Sequence, residues 1–144
     1  MKTDDLAAKI LATFPLFMHK TFHDFLPATG TLELNKTHMK ALMFIYIGNE
    51  PYMTEVCYHM NMERGSLTPV IDRLIQTKLV ERRRNPGDRR KVHLHLTELG
   101  LSLVQANLHR AHRHVENKLK HLSREDIQRF RNALLDLHRI TLML

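Results

Sequence analysis

Residues 79–100, LVERRRNPGDRRKVHLHLTELG, constrain the fold more than any other stretch of this 144-residue chain. They read as a two-stranded antiparallel hairpin that runs straight into a helix. Residues 80–84 form one arm and residues 90–96 the other. In the second arm Val92, Leu94 and Leu96 alternate with His93 and His95, the period-two pattern of a half-buried strand. Asn85-Pro86-Gly87-Asp88 between the arms has strong turn chemistry. Pro86 fixes φ, Gly87 permits φ > 0, and Asn85 and Asp88 can bond their own backbone. Arg82, Arg83, Arg84, Arg89, Arg90 and Lys91 are balanced only by Glu81 and Asp88. So cationic a hairpin cannot be a core element; it projects and calls for a polyanion. The bland alternative is a solvated edge hairpin that Arg and Lys guard against aggregation.

The preceding segment weighs against that alternative. Residues 64–78, RGSLTPVIDRLIQTK, predict a short amphipathic helix with Leu67, Ile71 and Leu74 as its buried stripe. Ser66, Thr68, Pro69, Asp72, Arg73 and Gln76 occupy the other side. These are small or hydrogen-bonding groups, as expected where a helix enters a groove and touches base edges. A helix–turn–helix followed by a basic wing is a winged helix.

The run LTPVIDRLIQTKLVERRRNPGDRRKVHLHLTELG resembles the signature of the MarR family of bacterial transcriptional regulators. Its elements are a helix ending in D-R-L, then L-V, the wing N-P-G-D-R-R, and L-T-E-L-G opening the next helix. The order of the remaining helices also fits, so the resemblance covers essentially the whole chain. One departure matters: many members carry Arg just after the helix Thr, where this chain has Pro69. Their base-reading contacts therefore do not transfer.

Composition is compatible with this reading. The net charge is +7, the hydrophobic content of 43% supports an ordinary core, and the single cysteine excludes an intrachain disulfide framework. There is no unbroken apolar run of the roughly 18 residues that a membrane span needs. The start MKTDDLAAKI is too acidic for a signal peptide. A cytoplasmic protein with no membrane partner is expected.

Taken in order, residues 5–26 predict a first helix with an aromatic stripe that includes Phe14, Phe17, Phe22 and Phe25. Pro15 should kink or split it, and Pro27 and Gly30 should end it. Asn35 or Thr37 should cap a second helix that Gly48 ends, and Thr54 a third over residues 55–60, with Asn61 in the left-handed turn. Val56, Met60 and Met62 should pack the third helix on the fourth. After the wing, Thr97 caps a long helix whose Leu101, Val104, Leu108, Ala111, Val115, Leu119 and Leu122 come close to a coiled-coil seam. Ser123-Arg124-Glu125-Asp126 opens the last helix, with Ile127, Phe130, Leu134, Leu137 and Ile140 as its apolar face.

Other chemistries find less support. His19/His23, His109/His112 and His93/His95 each pair two imidazoles, but a metal site needs a third and fourth ligand. Zinc-sensing MarR relatives use a His pair on the long helix; the positions nearest to it hold Asn107 and Ala111 here. Cys57 reads as an inert helix thiol, since the first helix, where oxidation-sensing relatives carry their cysteine, has none. Met39, Met43, Met53, Met60 and Met62 read as core filler. No phosphate loop, nucleophile motif or carboxylate–histidine set points to an enzyme, and no cofactor or metal is expected.

The expectation is therefore a mostly α (α+β) fold: a winged helix–turn–helix with long N- and C-terminal dimerisation helices. Residues 35–97 form the DNA-binding lobe, and residues 1–34 and 98–144 the dimerisation region. Two copies would bind double-stranded DNA at a pseudo-palindromic operator, as a repressor released by a small-molecule effector. The DNA-binding candidates are Arg64, Ser66, Thr68, Pro69, Arg73, Gln76, Arg84, Asp88, Arg89, Arg90 and Lys91. Arg89 should enter the minor groove, where a guanidinium reads narrow width and negative potential. The resemblance implies that Asp88 or Asp72 pairs with Arg90 to set the wing angle. It also implies an effector pocket taking aromatic or aliphatic carboxylates, with Phe14, Phe17, His19, Phe22, His23, His38 and Met39 as candidates. The competing functions are a metal-responsive repressor and a winged-helix protein–protein adaptor without DNA binding.

Overall fold

The computed structural model describes residues 3–85 and 88–143, with side chains for residues 5–84 and 92–143. The order is α1 (Thr3–Phe22), α2 (Lys36–Gly48), α3 (Met53–Met60), α4 (Arg64–Gln76), β1 (Val80–Asn85), β2 (Asp88–Leu96), α5 (Glu98–Leu119) and α6 (Arg124–Thr141). The chain divides into two compact units, Met1–Phe25 with Ala111–Leu144, and Leu26–Arg110.

The unit Leu26–Arg110 holds a winged helix–turn–helix. Asn35 caps α2, accepting from the N–H groups of Thr37 and His38 at 3.0 and 3.1 Å, while His38 Nδ1 accepts from the Asn35 N–H at 3.1 Å. This is a reciprocal capping box with an imidazole in the usual Glu position. Gly48 is the last residue of α2, and the left-handed cap is Asn49 (φ 49°). The glycine answers a packing need instead: a β-carbon there would lie 3.0 Å from the Pro51 ring.

The third helix starts two residues before the expected point. Tyr52, not Thr54, is its cap, because Glu55 Oε2 reaches back to the Tyr52 N–H at 2.6 Å. The charged acceptor at the third helical position satisfies the N–H of the cap residue itself. Asn61 takes the left-handed conformation (φ 50°) and turns the chain into α4. Leu67, Ile71 and Leu74 of α4 are fully buried among Leu42, Ile45, Val56, Leu79, Val80, Leu94 and Val104.

The strands pair antiparallel from Val80↔Leu96 to Arg84↔Val92, with an irregularity between Arg84 and Asn85. The expected turn residues Pro86 and Gly87 lie outside the described residues. Leu94 is buried, whereas Val92 and Leu96 are only partly so. The alternation is softened because the link before α3 lies along β2. Leu94 N–H donates to Pro51 O at 2.9 Å, and Tyr52 forms an antiparallel bridge with His93. His93 stacks on the Tyr52 ring with centroids 4.1 Å apart.

The L-T-E-L-G segment has a concrete role. Thr97 Oγ1 donates to Lys78 O at 2.6 Å, Thr97 N–H donates to Leu79 O at 3.1 Å, and Thr97 Oγ1 accepts from Gly100 N–H at 3.1 Å. One threonine thus caps α5 and joins it to the chain between α4 and β1. Asn107 is buried in α5, where its amide accepts from Ala28 N–H at 2.8 Å and donates to Ala28 O and Leu103 O, each at 2.9 Å. Its polar atoms are spent on holding the loop of residues 26–34 against α5.

In the other unit, α1 is one continuous helix through Pro15, so the proline does not split it. The proline cannot bond the carbonyl four residues back, but the helix is exposed there, so water can satisfy that oxygen. The helix also stops at Phe22, short of residue 26. The chain then turns so that Phe25 packs on His114 (centroids 5.3 Å) and edge-on to Phe22 (6.3 Å). His114 Nε2 lies 2.7 Å from Thr21 O, and Lys118 Nζ donates to Asp24 Oδ2 at 2.7 Å. That lysine bond is the main reason the Asp24 carboxyl titrates below its ordinary value. Ser123 caps α6, and α6 buries none of its described residues.

Candidate nucleic-acid interface

In α4 the core stripe fixes what faces away from it. Gly65, Pro69, Asp72 and Gln76, at i, i+4, i+7 and i+11, lie on the side opposite Leu67, Ile71 and Leu74. Arg64 and Ser66 are exposed beside them near the start of the helix, and Thr68 is half-buried. Thr68 Oγ1 donates to Arg64 O at 2.8 Å.

Arg73 points away from that outer stripe. Its Nη2 lies 3.6 Å from Glu33 Oε2, and its charge adds to burial in lowering the titration point of His38. It stands between α4 and the capped start of α2.

The first wing strand is less free than its sequence suggested. The Arg90 side chain, expected to pair with Asp88 or Asp72, lies outside the described residues, and Arg82 Nη2 donates to Asp72 Oδ1 at 2.7 Å. The strand register explains it: Arg82 pairs with the buried Leu94 at the centre of the hairpin, within reach of α4. Arg83 Nη2 lies 2.6 Å from Glu81 Oε1, and its Nη1 3.7 Å from Glu50 Oε1. Arg84 is exposed, and among the described residues no carboxylate is paired with it. Asp88, Arg89, Arg90 and Lys91 belong to β2 by their backbone. Their side chains lie outside the described residues.

Two of the three histidine pairs have structural partners. His19 and His23 stack with centroids 4.9 Å apart, His93 Nδ1 lies 2.7 Å from Glu50 O, and His95 Nδ1 lies 2.6 Å from Glu50 Oε1. Among the described residues no group of three or more His, Cys, Asp or Glu is arranged to hold a metal ion.

The effector candidates fall in different units. Phe14, Phe17, His19, Phe22 and His23 stand on α1, where Phe17 packs on Phe130 (centroids 5.7 Å). His38 and Met39 stand on α2, the first in the capping box and the second in the core. Met39 also lines a cleft of about 270 Å³ with Leu26, Pro27, Thr29, Leu34, Asn35 and Lys36. A larger cleft of about 590 Å³, among Ile45, Tyr46, Glu50, Arg83, His95 and Leu101, was not anticipated from the sequence. Its walls come from α2, the wing and α5, which only the fold brings together.

Comparison with known proteins matches these elements. The model of the MarR family matches residues 34–92. The uncharacterized HTH-type transcriptional regulator YsmB of Bacillus subtilis (strain 168) is 27% identical over 96 residues, which span 67% of this chain and 66% of that protein, just under two thirds of its length. The HTH-type transcriptional regulator MhqR of the same strain is 26% identical over 95 residues, spanning 66% of each chain. Among solved structures, the YusO protein from Bacillus subtilis superposes with a TM-score of 0.68 at 20% identity, over 96% of this chain and 99% of that one. The family model lies across the segment from α2 to β2 that holds the winged helix–turn–helix, and in that segment the chain is similar to the MarR family.

Proposed function

We propose that this protein is a transcriptional regulator, not an enzyme, that binds double-stranded DNA as a homodimer at a pseudo-palindromic operator in the cytoplasm and represses transcription until a small-molecule effector releases it. The observation that carries the reading is the outer face of α4. It is held outward by three fully buried leucine and isoleucine side chains, carries small and hydrogen-bonding groups, and is followed by a cationic wing. DNA binding is assigned to residues 35–97, with Arg64, Ser66, Thr68, Pro69 and Gln76 at the groove. Arg84, Arg90 and Lys91 hold phosphates and Arg89 the minor groove; Arg73 supports from the side.

Dimerisation is assigned to residues 1–34 and 98–144. The support is apolar surface on both terminal helices: Ile10, Leu11 and Phe14 on α1, and Ile127, Leu134, Leu137 and Ile140 on α6, are all exposed in the single chain. The effector is assigned as a small aromatic or aliphatic carboxylate on the resemblance to the family.

The test is operator geometry. Two-fold symmetry requires inverted half-sites about one helical turn, roughly 10 bp, apart. Shifting one half-site by about half a turn should abolish tight binding and leave only the salt-sensitive nonspecific component. Equal binding to both operators would exclude paired α4 helices. No binding to any duplex would favour the protein–protein adaptor.

A further inference from the structure

We propose that α4 reads amine-bearing bases, adenine or cytosine, through a backbone acceptor at Gly65 that Pro69 leaves open. This rests on the DNA-binding reading above and says which chemistry that face recognises. In an α-helix the carbonyl of residue i is taken by the N–H of residue i+4. Pro69 has no N–H, so the Gly65 carbonyl cannot receive that bond. Pro69 lies in the second turn of α4, which begins at Arg64. It is therefore past the first turn, where helical N–H groups have no partner anyway and proline is harmless.

Gly65 adds the second condition, access. Gly65 and Pro69 are both exposed, on the side opposite the core stripe. A proline ring also crowds the carbonyl four residues back, which tilts that oxygen away from the helix axis.

On the side of Gly65 toward the helix C-terminus the neighbouring groups have the same polarity, whereas Arg64 and Ser66 on the other side can donate. The Thr68 hydroxyl proton is already given to Arg64 O at 2.8 Å, which leaves its oxygen with lone pairs only. Asp72 is a carboxylate. This part of the helix therefore offers acceptors. In the major groove the donors are adenine N6 and cytosine N4, whereas guanine O6 and thymine O4 are acceptors that would leave the Gly65 oxygen unmatched. A keto group set against it costs a hydrogen bond and adds repulsion.

The test selects bound duplexes from a randomised pool with the full chain and with Pro69→Ala. The substitution restores the N–H and closes the Gly65 carbonyl, and alanine is the strongest helix former, so the variant folds. For the unaltered protein we expect one half-site position restricted to adenine or cytosine. In Pro69→Ala that preference should fall below about twofold while the rest of the profile persists. Removing the amine from that base, for example purine in place of adenine, should weaken the unaltered protein roughly three- to tenfold, the range of one net hydrogen bond, and leave Pro69→Ala unmoved. The inference is overturned if Pro69→Ala keeps the same preference, or if loss of the amine costs both proteins equally. An unaltered protein that selects no sequence would overturn the DNA-binding reading itself, and this inference with it.

Discussion

Arg82 Nη2 donates to Asp72 Oδ1 at 2.7 Å, which joins the first wing strand to the outer face of α4. Both side chains are close to half exposed, at 45% and 46%, so the pair contributes only about 0–1 kcal/mol to stability. Its expected consequence is the angle between wing and helix. Asp72→Asn should leave the urea midpoint almost unmoved. Nonspecific DNA affinity at low salt should rise, because a carboxylate is removed from the proposed groove face. Preference for operator over scrambled duplex should fall several-fold. An unchanged preference would mean that the wing angle is set elsewhere.

Gly100 should tolerate no side chain. A β-carbon there would overlap the Leu79 carbonyl oxygen, and backbone cannot move aside as a flexible side chain can. Gly100→Ala should destabilise by at least the ~1–3 kcal/mol typical of overpacking. Gly65→Ala is the matched control: the space around it is open, so it should be neutral or stabilise by up to about 1 kcal/mol through helix propensity. Urea unfolding of the two variants decides the point, and equal effects would refute it.

Arg89→Ala should weaken operator binding by roughly 1–3 kcal/mol with no change in unfolding. The residue is the second of the wing strand β2. If each subunit neutralises a few phosphates, a dimer neutralises about 6–10, and affinity should drop by on the order of 10³–10⁵ between about 50 and 200 mM salt. Binding titrations at several salt concentrations measure both effects. Equal affinity of variant and parent would remove Arg89 from the interface.

His38 should make stability sensitive to mild acid. Its Nδ1 accepts the Asn35 N–H, which requires the neutral ring, and burial, aided by the Arg73 charge, holds its titration point below the ordinary 6.5. The unfolded chain therefore takes up this proton first as pH falls. The contribution is fully present above about 6.5 and is lost as pH drops from there through the lowered folded value. Urea midpoints of the parent and of His38→Gln, measured from pH 8 to pH 5, should converge on the acid side. Parallel curves would show that the ring titrates alike in both states.

Much of this architecture is legible in residue order because its causes are local. The buried stripe of α4 follows from the spacing of Leu67, Ile71 and Leu74, the left-handed turn from Asn61, the hairpin from alternating Val92, Leu94 and Leu96, and the α5 cap from Thr97. Periodicity, turn chemistry and capping act over a few residues, so a linear reading captures them. What only the tertiary structure decided involves partners far apart in the chain. Asp72 met Arg82, ten positions on, because register and strand position set reach, and no spacing rule encodes that. Asn107 became a clamp on Ala28, 79 positions away, and Gly100 proved to be a close approach to Leu79. The cap of α3 fell at Tyr52 and not Thr54, with Glu55 reaching back to the Tyr52 N–H. α1 continues through Pro15 as one helix with one backbone bond fewer. Local propensity names the elements; long-range packing chooses which polar groups find one another, since each must be paired once the core of α2, α3, α4 and the wing closes around Leu42, Ile71 and Leu94.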